Sequence, residues 1–295
     1  MTPRPPNTSP NATPPQLSQN SASLKSGRPT ALIALAVLAI LVFGAHFRSA
    51  HPASSAAASL PTAKEIVARY DEALGSRAAI ERHTSSTMRG TTEIHERANV
   101  AKLPFVYYSS APYRRIERTT LPGESGEIVN GFDGDTAWSV DPRGGPQIYT
   151  GDERESMKRD ADFYYSINEL VWFRSMETVG LEDFEGRSCY HLHGINNWGK
   201  SNDHFYDRET GLLAGYEFNS ELGATHQIFS DYKKIDGVQV PTKQTVKVKS
   251  KDGAWQIQQI LTFESIAFND VDPAVFTPPQ SVRDLVAKAK PAASR

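Results

Sequence analysis

Asp236-Gly237-Val238-Gln239-Val240-Pro241-Thr242-Lys243-Gln244-Thr245-Val246-Lys247-Val248-Lys249 is the stretch whose reading decides the fold. Val238, Val240, Val246 and Val248 alternate with Gln239, Lys243, Lys247 and Lys249. A period of two gives a β-strand one apolar face and one solvated face. Asp236-Gly237 precedes it at a strand junction, where glycine relieves the cost of positive φ. Moving outward, the pattern predicts neighbouring strands over 225–234 and 255–267, and earlier ones over 177–181, 188–195, 203–206 and 212–219. Farther toward the amino terminus it predicts strands over 87–97, 105–109, 114–121, 127–132, 136–141 and 147–149. Short turns separate them, and Asp133-Gly134 reads as a type I′ hairpin turn, so the strands should pair antiparallel.

Two regions break this pattern. Ile66, Val67, Tyr70, Ala73 and Leu74 recur at helical spacing and stop at Gly75, which predicts one amphipathic helix, with a short second helix over 77–82. Between 151 and 168, Asp152, Glu153 and Glu155 precede Met157, Lys158 and Arg159, an order of charge that suits a helix dipole. The expected fold class is α+β: a large antiparallel, half-open β-barrel of roughly eleven to thirteen strands. Helices should cover its concave face.

The first 60 residues have a different composition. Residues 1–29, rich in Pro, Ser, Asn and Thr, read as a disordered tail. Lys25 and Arg28 then precede an almost unbroken apolar run from Ala31 to Ala45, which makes 30–47 a signal anchor or a signal peptide. It is short for a bilayer core of about 20 residues, and the tail before it is long for a cleaved signal, so retention and cleavage both stay open. Residues 48–61 form an Ala/Ser linker, 62–280 the folded domain, and 281–295 a carboxy-terminal helix or tail. The charge ahead of the run puts the folded part outside the cytoplasm.

Composition removes several functions. Lys and Arg total 32 against 34 for Asp and Glu, a net charge of -2, so nothing draws nucleic acid. Cys189 is the only cysteine, which excludes an intrachain disulfide and a cysteine-based metal cluster; it reads as a small buried strand residue. His191 and His193 point to one strand face and could meet Asp203 or His204, but no third ligand is identifiable, so the expectation is no metal. There is no G-x-S-x-G elbow, Walker loop or G-x-G-x-x-G turn, and the acidic stretch 152–162 reads as a solvated helix face. The chain is read as a non-enzyme without cofactors.

Several phrases carry a family resemblance. They are Gly131-Phe132-Asp133-Gly134-Asp135-Thr136-Ala137-Trp138-Ser139, Arg159-Asp160-Ala161-Asp162-Phe163 and Asp207-Arg208-Glu209-Thr210-Gly211-Leu212-Leu213. Ser230-Asp231-Tyr232-Lys233-Lys234-Ile235-Asp236-Gly237-Val238-Gln239-Val240-Pro241 and the closing Phe276 follow in the same order. Together they resemble the outer-membrane lipoprotein-sorting proteins, the LolA-like half-barrels, over nearly all of 62–279. The resemblance implies a barrel whose concave face accommodates acyl chains of a lipoprotein or another lipid. Its physical basis is the gain of about 0.8 kcal/mol per methylene moved out of water.

Alternation assigns Trp138, Tyr216, Phe218, Trp255, Ile257, Leu261 and Phe263 to that apolar cavity. The expected partners are lipid acyl chains or lipoproteins, with the inner membrane engaged through 30–47 and the domain in the periplasm. The alternative is a membrane-tethered envelope sensor that uses the sheet to bind a protein partner.

Overall fold

The computed structural model describes residues 60–96, 99–123 and 125–289. The expectations for the tail and for the apolar segment at 30–47 lie outside them. Among the described residues no helix is long and apolar enough to cross a membrane.

One 13-stranded, wholly antiparallel sheet organises the chain. Strands β1(Ser85–Glu96), β2(Asn99–Ser110), β3(Arg114–Thr120), β4(Glu127–Phe132), β5(Ala137–Asp141) and β6(Gly145–Tyr149) form one meander. The second runs through β7(Phe173–Phe184), β8(Arg187–Asn196), β9(Ser201–Asp207), β10(Leu213–Ser220), β11(Gly223–Ile235), β12(Val238–Lys249) and β13(Trp255–Phe268). The two join where β1 pairs with β13, so the first and last strands lie at the middle of the sheet and β6 and β7 are its free edges. The barrel is therefore half-open, and the gap falls between consecutive strands.

The chain between those edges is helical: α3(Gly151–Asp160), α4(Tyr165–Asn168) and a 3-10 turn over Glu169–Trp172. This strap is tied down along its length. Phe163 N donates to Pro112 O at 3.1 Å, Tyr164 hydroxyl to His83 O at 3.0 Å, and Trp172 Nε1 to the buried Asp162 carboxylate at 2.8 Å. Arg77 of α2(Arg77–Glu81) donates to Ile167 O at 2.7 Å.

Helix α1(Ala63–Leu74) begins with a capping box: Glu65 N donates to Thr62 Oγ1 at 3.3 Å, and Thr62 N to Glu65 Oε2 at 2.7 Å. It ends at Gly75, where φ is 125° and a Cβ would run into the Gly237 carbonyl, so only glycine lets α1 dock on the β11–β12 hairpin. Ile66, Val67, Tyr70 and Leu74 pack there against Leu192, Tyr206, Leu213 and Val238.

Two sequence expectations change. Asp236 and Gly237 both have positive φ, 45° and 87°, as a type I′ turn needs, with Ile235 and Val238 paired across it. At the other junction only Gly134 does (109°). Asp133 Oδ1 instead accepts from Asp135 N at 2.9 Å and Thr136 N at 2.8 Å, so the β4–β5 hairpin closes through an Asx turn. Helices also do not all cover one face. α5(Gln280–Ala289) packs on β5 and β6, and its Val282 joins Ile116, Val129, Trp138 and Phe276 in a core on the convex side.

Candidate functional site

The concave side holds a cavity of about 380 Å³, in the range of small-molecule sites. Its floor is built from β9 to β13 and its far wall from β2 to β4, with Met157, Arg159, Asp160 and Tyr165 of the strap closing over it. Phe218, Phe229, Val246 and Leu261 give the floor apolar patches. Beside the cavity, Phe263 packs edge-on against Phe105 and Tyr107, with ring centroids 5.3 and 5.8 Å apart, and Tyr107 lines the cavity itself.

Polar groups interrupt these patches. Gln227, Gln244 and Gln259 stand on three successive strands of the floor, and Asn130 and Asn202 face them from β4 and β9. Arg115 lies 3.5 Å from Glu117, donates to the Asp160 carbonyl at 3.1 Å, and stacks over the Tyr107 ring at 4.9 Å. Burial alone would lower the Arg115 pKa, but Glu117, Tyr107 and Asp160 outweigh it and hold the guanidinium charged. Burial raises the Glu117 carboxyl, with Arg115 opposing. Arg159 is clasped by its neighbour's carboxylate, Asp160 Oδ1, at 2.8 Å and 3.0 Å.

Under the rim, Glu169 and His204 are both 1% exposed, with Oε1 2.5 Å from Nδ1, although neither atom makes an aligned hydrogen bond. The other Glu169 oxygen accepts from the Tyr206 hydroxyl. Burial pushes the phenols of Tyr165, Tyr206 and Tyr216 upward, so these groups act as neutral hydrogen-bond partners.

Of the residues assigned from sequence, Tyr216, Phe218 and Leu261 line the cavity, and Phe263 flanks it through Tyr107. Trp138 lies on the opposite face, 1% exposed, its ring filling the space over Gly131 where a Cβ would collide. It belongs to the core under α5.

Trp255 and Ile257 are also on the convex side. A β-bulge explains this: Gln259 pairs with Val246 but Ile257 with Lys247, so the extra residue reverses the phase of alternation within β13. Trp255 stacks on His226 at 3.6 Å, and Ile257 is 39% exposed.

His191, His193 and His226 lie on that face too. Asp203 Oδ1 receives His191 Nε2 at 2.9 Å and His193 Nδ1 at 2.8 Å, while His204 turns to the concave side. Among the described residues no group of three or more His, Cys, Asp or Glu side chains is placed to hold a metal ion. Cys189 is buried, and burial pushes its thiol up to about 11.

The arginines, acids and amides of the cavity were missed from sequence. Their signal was spacing: Gln227, Gln244 and Gln259 each stand two residues before Phe229, Val246 and Leu261 and so share their face.

No family model matches the sequence, and no curated protein matches it. Solved structures do resemble it. A DUF1329 family protein from Desulfovibrio piger aligns over 72% of this chain and 95% of its own, with a TM-score of 0.53 and 15% identity. A LolA superfamily protein from Nitrosomonas europaea aligns over 74% and 99%, with a TM-score of 0.53 and 15% identity. A domain from Vibrio parahaemolyticus assigned to outer membrane lipoprotein sorting aligns over 72% and 96%, with a TM-score of 0.51 and 12% identity. The chain thus has the fold of the LolA-like half-barrels.

Proposed function

We propose that this chain is an extracytoplasmic lipid- or lipoprotein-binding protein that holds an acylated ligand in the concave cavity and catalyses no reaction. The observation that carries this reading is the cavity itself, roofed by an anchored strap and continued along the concave face by the Tyr107 and Phe263 rings, which pack against the buried Phe105. An acyl chain laid on that aromatic surface leaves water at about 0.8 kcal/mol per methylene. The shared fold with a domain assigned to lipoprotein sorting supports the ligand class. In this reading, residues 30–47 engage the inner membrane, 48–61 are the linker and 62–280 the periplasmic binding domain.

One observation favours a second reading, a tethered interaction domain. β7 is a free sheet edge, and Val179 and Leu181 on it are 54% and 47% exposed, a template for strand addition by a protein partner.

Native mass spectrometry of the full chain, released from detergent, separates the two. Under the first reading, wild type and the convex-face variant Ile257→Asp carry a stoichiometric lipid, and Phe229→Asp in the cavity floor loses it. An empty wild type that captures an envelope protein through β7 would replace it with the second.

A further inference from the structure

The cavity is too polar to be a pocket for hydrocarbon alone. Asn202 is 8% exposed, and its Oδ1 has no hydrogen-bond partner among the described residues. The side chains of Gln227 and Gln244 in the floor and of Asn130 in the far wall, all half-buried, make no hydrogen bond among those residues either. Gln259 uses one N–H on Thr92 Oγ1 at 3.0 Å. Each primary amide offers two donors and a carbonyl acceptor, and burying such groups under an aliphatic ligand would leave them unpaired at a cost.

The charges point to the sign of the ligand. Arg115 is engaged by Glu117 and the Asp160 carbonyl, and Arg159 by the Asp160 carboxylate, so the two cations face two acids and neither is free for a phosphate. What remains, besides His204 next to its buried partner Glu169, is a polar surface of amides and phenols. Ring faces accompany them: Tyr216 meets Phe229 edge-on at 5.4 Å, and both line the cavity. Adjacent amides matched to neighbouring hydroxyls, with aromatic faces against C–H surfaces, is the chemistry that recognises a sugar.

We propose that the unpartnered amides of Asn130, Asn202, Gln227 and Gln244 bind a short neutral saccharide, the headgroup of a glycolipid whose tail lies along the Tyr107 and Phe263 rings. This rests on the lipid-binding reading and adds the identity of the polar end. A site built to hydrogen-bond hydroxyls discriminates strongly against ligands that lack them, so the headgroup sets the selectivity.

The test compares dodecyl maltoside with dodecylphosphocholine, identical in tail. Each is titrated calorimetrically below micelle formation into the full chain held in amphipathic polymer. The expected result is at least about tenfold tighter binding of the maltoside, since one lost hydrogen bond of this kind is worth about that factor. Gln244→Leu should weaken the maltoside relative to phosphocholine until the preference is gone, with uptake by the polymer cancelling between variant and wild type. Gln227→Leu repeats the reading from the neighbouring strand, and as both glutamines are half-buried without protein partners, leucine at either leaves the fold intact. Equal binding of the two amphiphiles, or preference for phosphocholine, overturns the saccharide while leaving lipid binding in place. Binding of neither overturns both.

Discussion

The two faces of the sheet treat their polar groups in opposite ways. On the convex face of the second meander, rings stack in a row, Trp255 on His226, Phe184 beside it, then Phe205 and His191, at centroid separations of 3.6, 4.8, 4.2 and 4.8 Å. Every histidine in the row is matched: His226 stands 2.9 Å from both Glu185 and Glu217, and His191 lies 2.9 Å from both Glu182 and Asp203. Lys247 completes the pairing of Glu185 at 2.5 Å. On the concave face the side chains of Asn130, Gln227 and Gln244 and the Asn202 Oδ1 have no hydrogen-bond partner among the described residues. Matched polar groups fix a structure, whereas buried unmatched ones are a cost that a ligand can remove. Both faces carry histidine, acid and aromatic residues, so residue type does not separate them.

The first way to break this contrast is to remove the row's centre. Phe184 is 2% exposed between His226 and Phe205, and Phe184→Ala should cost about 3–5 kcal/mol in denaturant unfolding. Ligand selectivity in the surviving folded protein should not change. A loss of selectivity at full stability would mean that the row, and not the cavity, carries recognition.

A smaller effect is expected at His191. Burial alone would lower its pKa, but Asp203 and Glu182 outweigh it and raise it above the ordinary value near 6.5. The pair therefore contributes stability that is fully present below about 6.5 and is lost as pH rises through the folded value. Asp203 runs the other way: burial opposes, but His191 and His193 lower its pKa, so its share is lost as pH falls through that depressed value. Stability measured against pH should peak between the two. His191→Asn should remove about 1 kcal/mol and flatten the alkaline side of that peak, and NMR titration of the imidazole checks the direction.

Asp71 gives a gain of similar size. Burial raises its carboxyl to about 6, with Arg77 opposing, and Oδ1 has no partner. The native state thus holds a proton that the unfolded chain releases near pH 4, and stability falls as pH rises from about 4 to about 6. Asp71→Asn should remove that fall and add about 1 kcal/mol at neutral pH, after discounting for solvent at this half-exposed group. The smallest change in stability belongs to Gln244→Leu, within about 0.5 kcal/mol, because no protein hydrogen bond is lost. An unfolding shift well beyond that would show that the amide is structural.

The strands were legible because a period of two survives in short segments: 127–132 and 238–249 match β4 and β12 at both ends. The helical strap was legible from charge order. What sequence could not show was the pairing of β1 with β13, a contact between distant strands that no local pattern encodes. Nor could it show the bulge in β13 that turns Trp255 and Ile257 away from Leu261. Trp138 was misplaced for a related reason. Each strand has two faces, and only the packing of α5 reveals that the apolar side of β5 is sealed. The cavity's amides were visible in the same alternation that placed Val246 and Leu261, but an expectation of apolar lining passed over them.

The central claim, that the concave side is where lipid binds, is tested most directly by labelling. The full chain in native membranes would be irradiated with a lipid carrying a photoreactive group on its acyl chain, and the modified residues mapped by mass spectrometry. Within 60–289 the label should fall on Phe218, Phe229, Leu261 and Phe263. Label confined to Ile257 and the Val179–Leu181 edge, with the cavity residues unmarked, would contradict it.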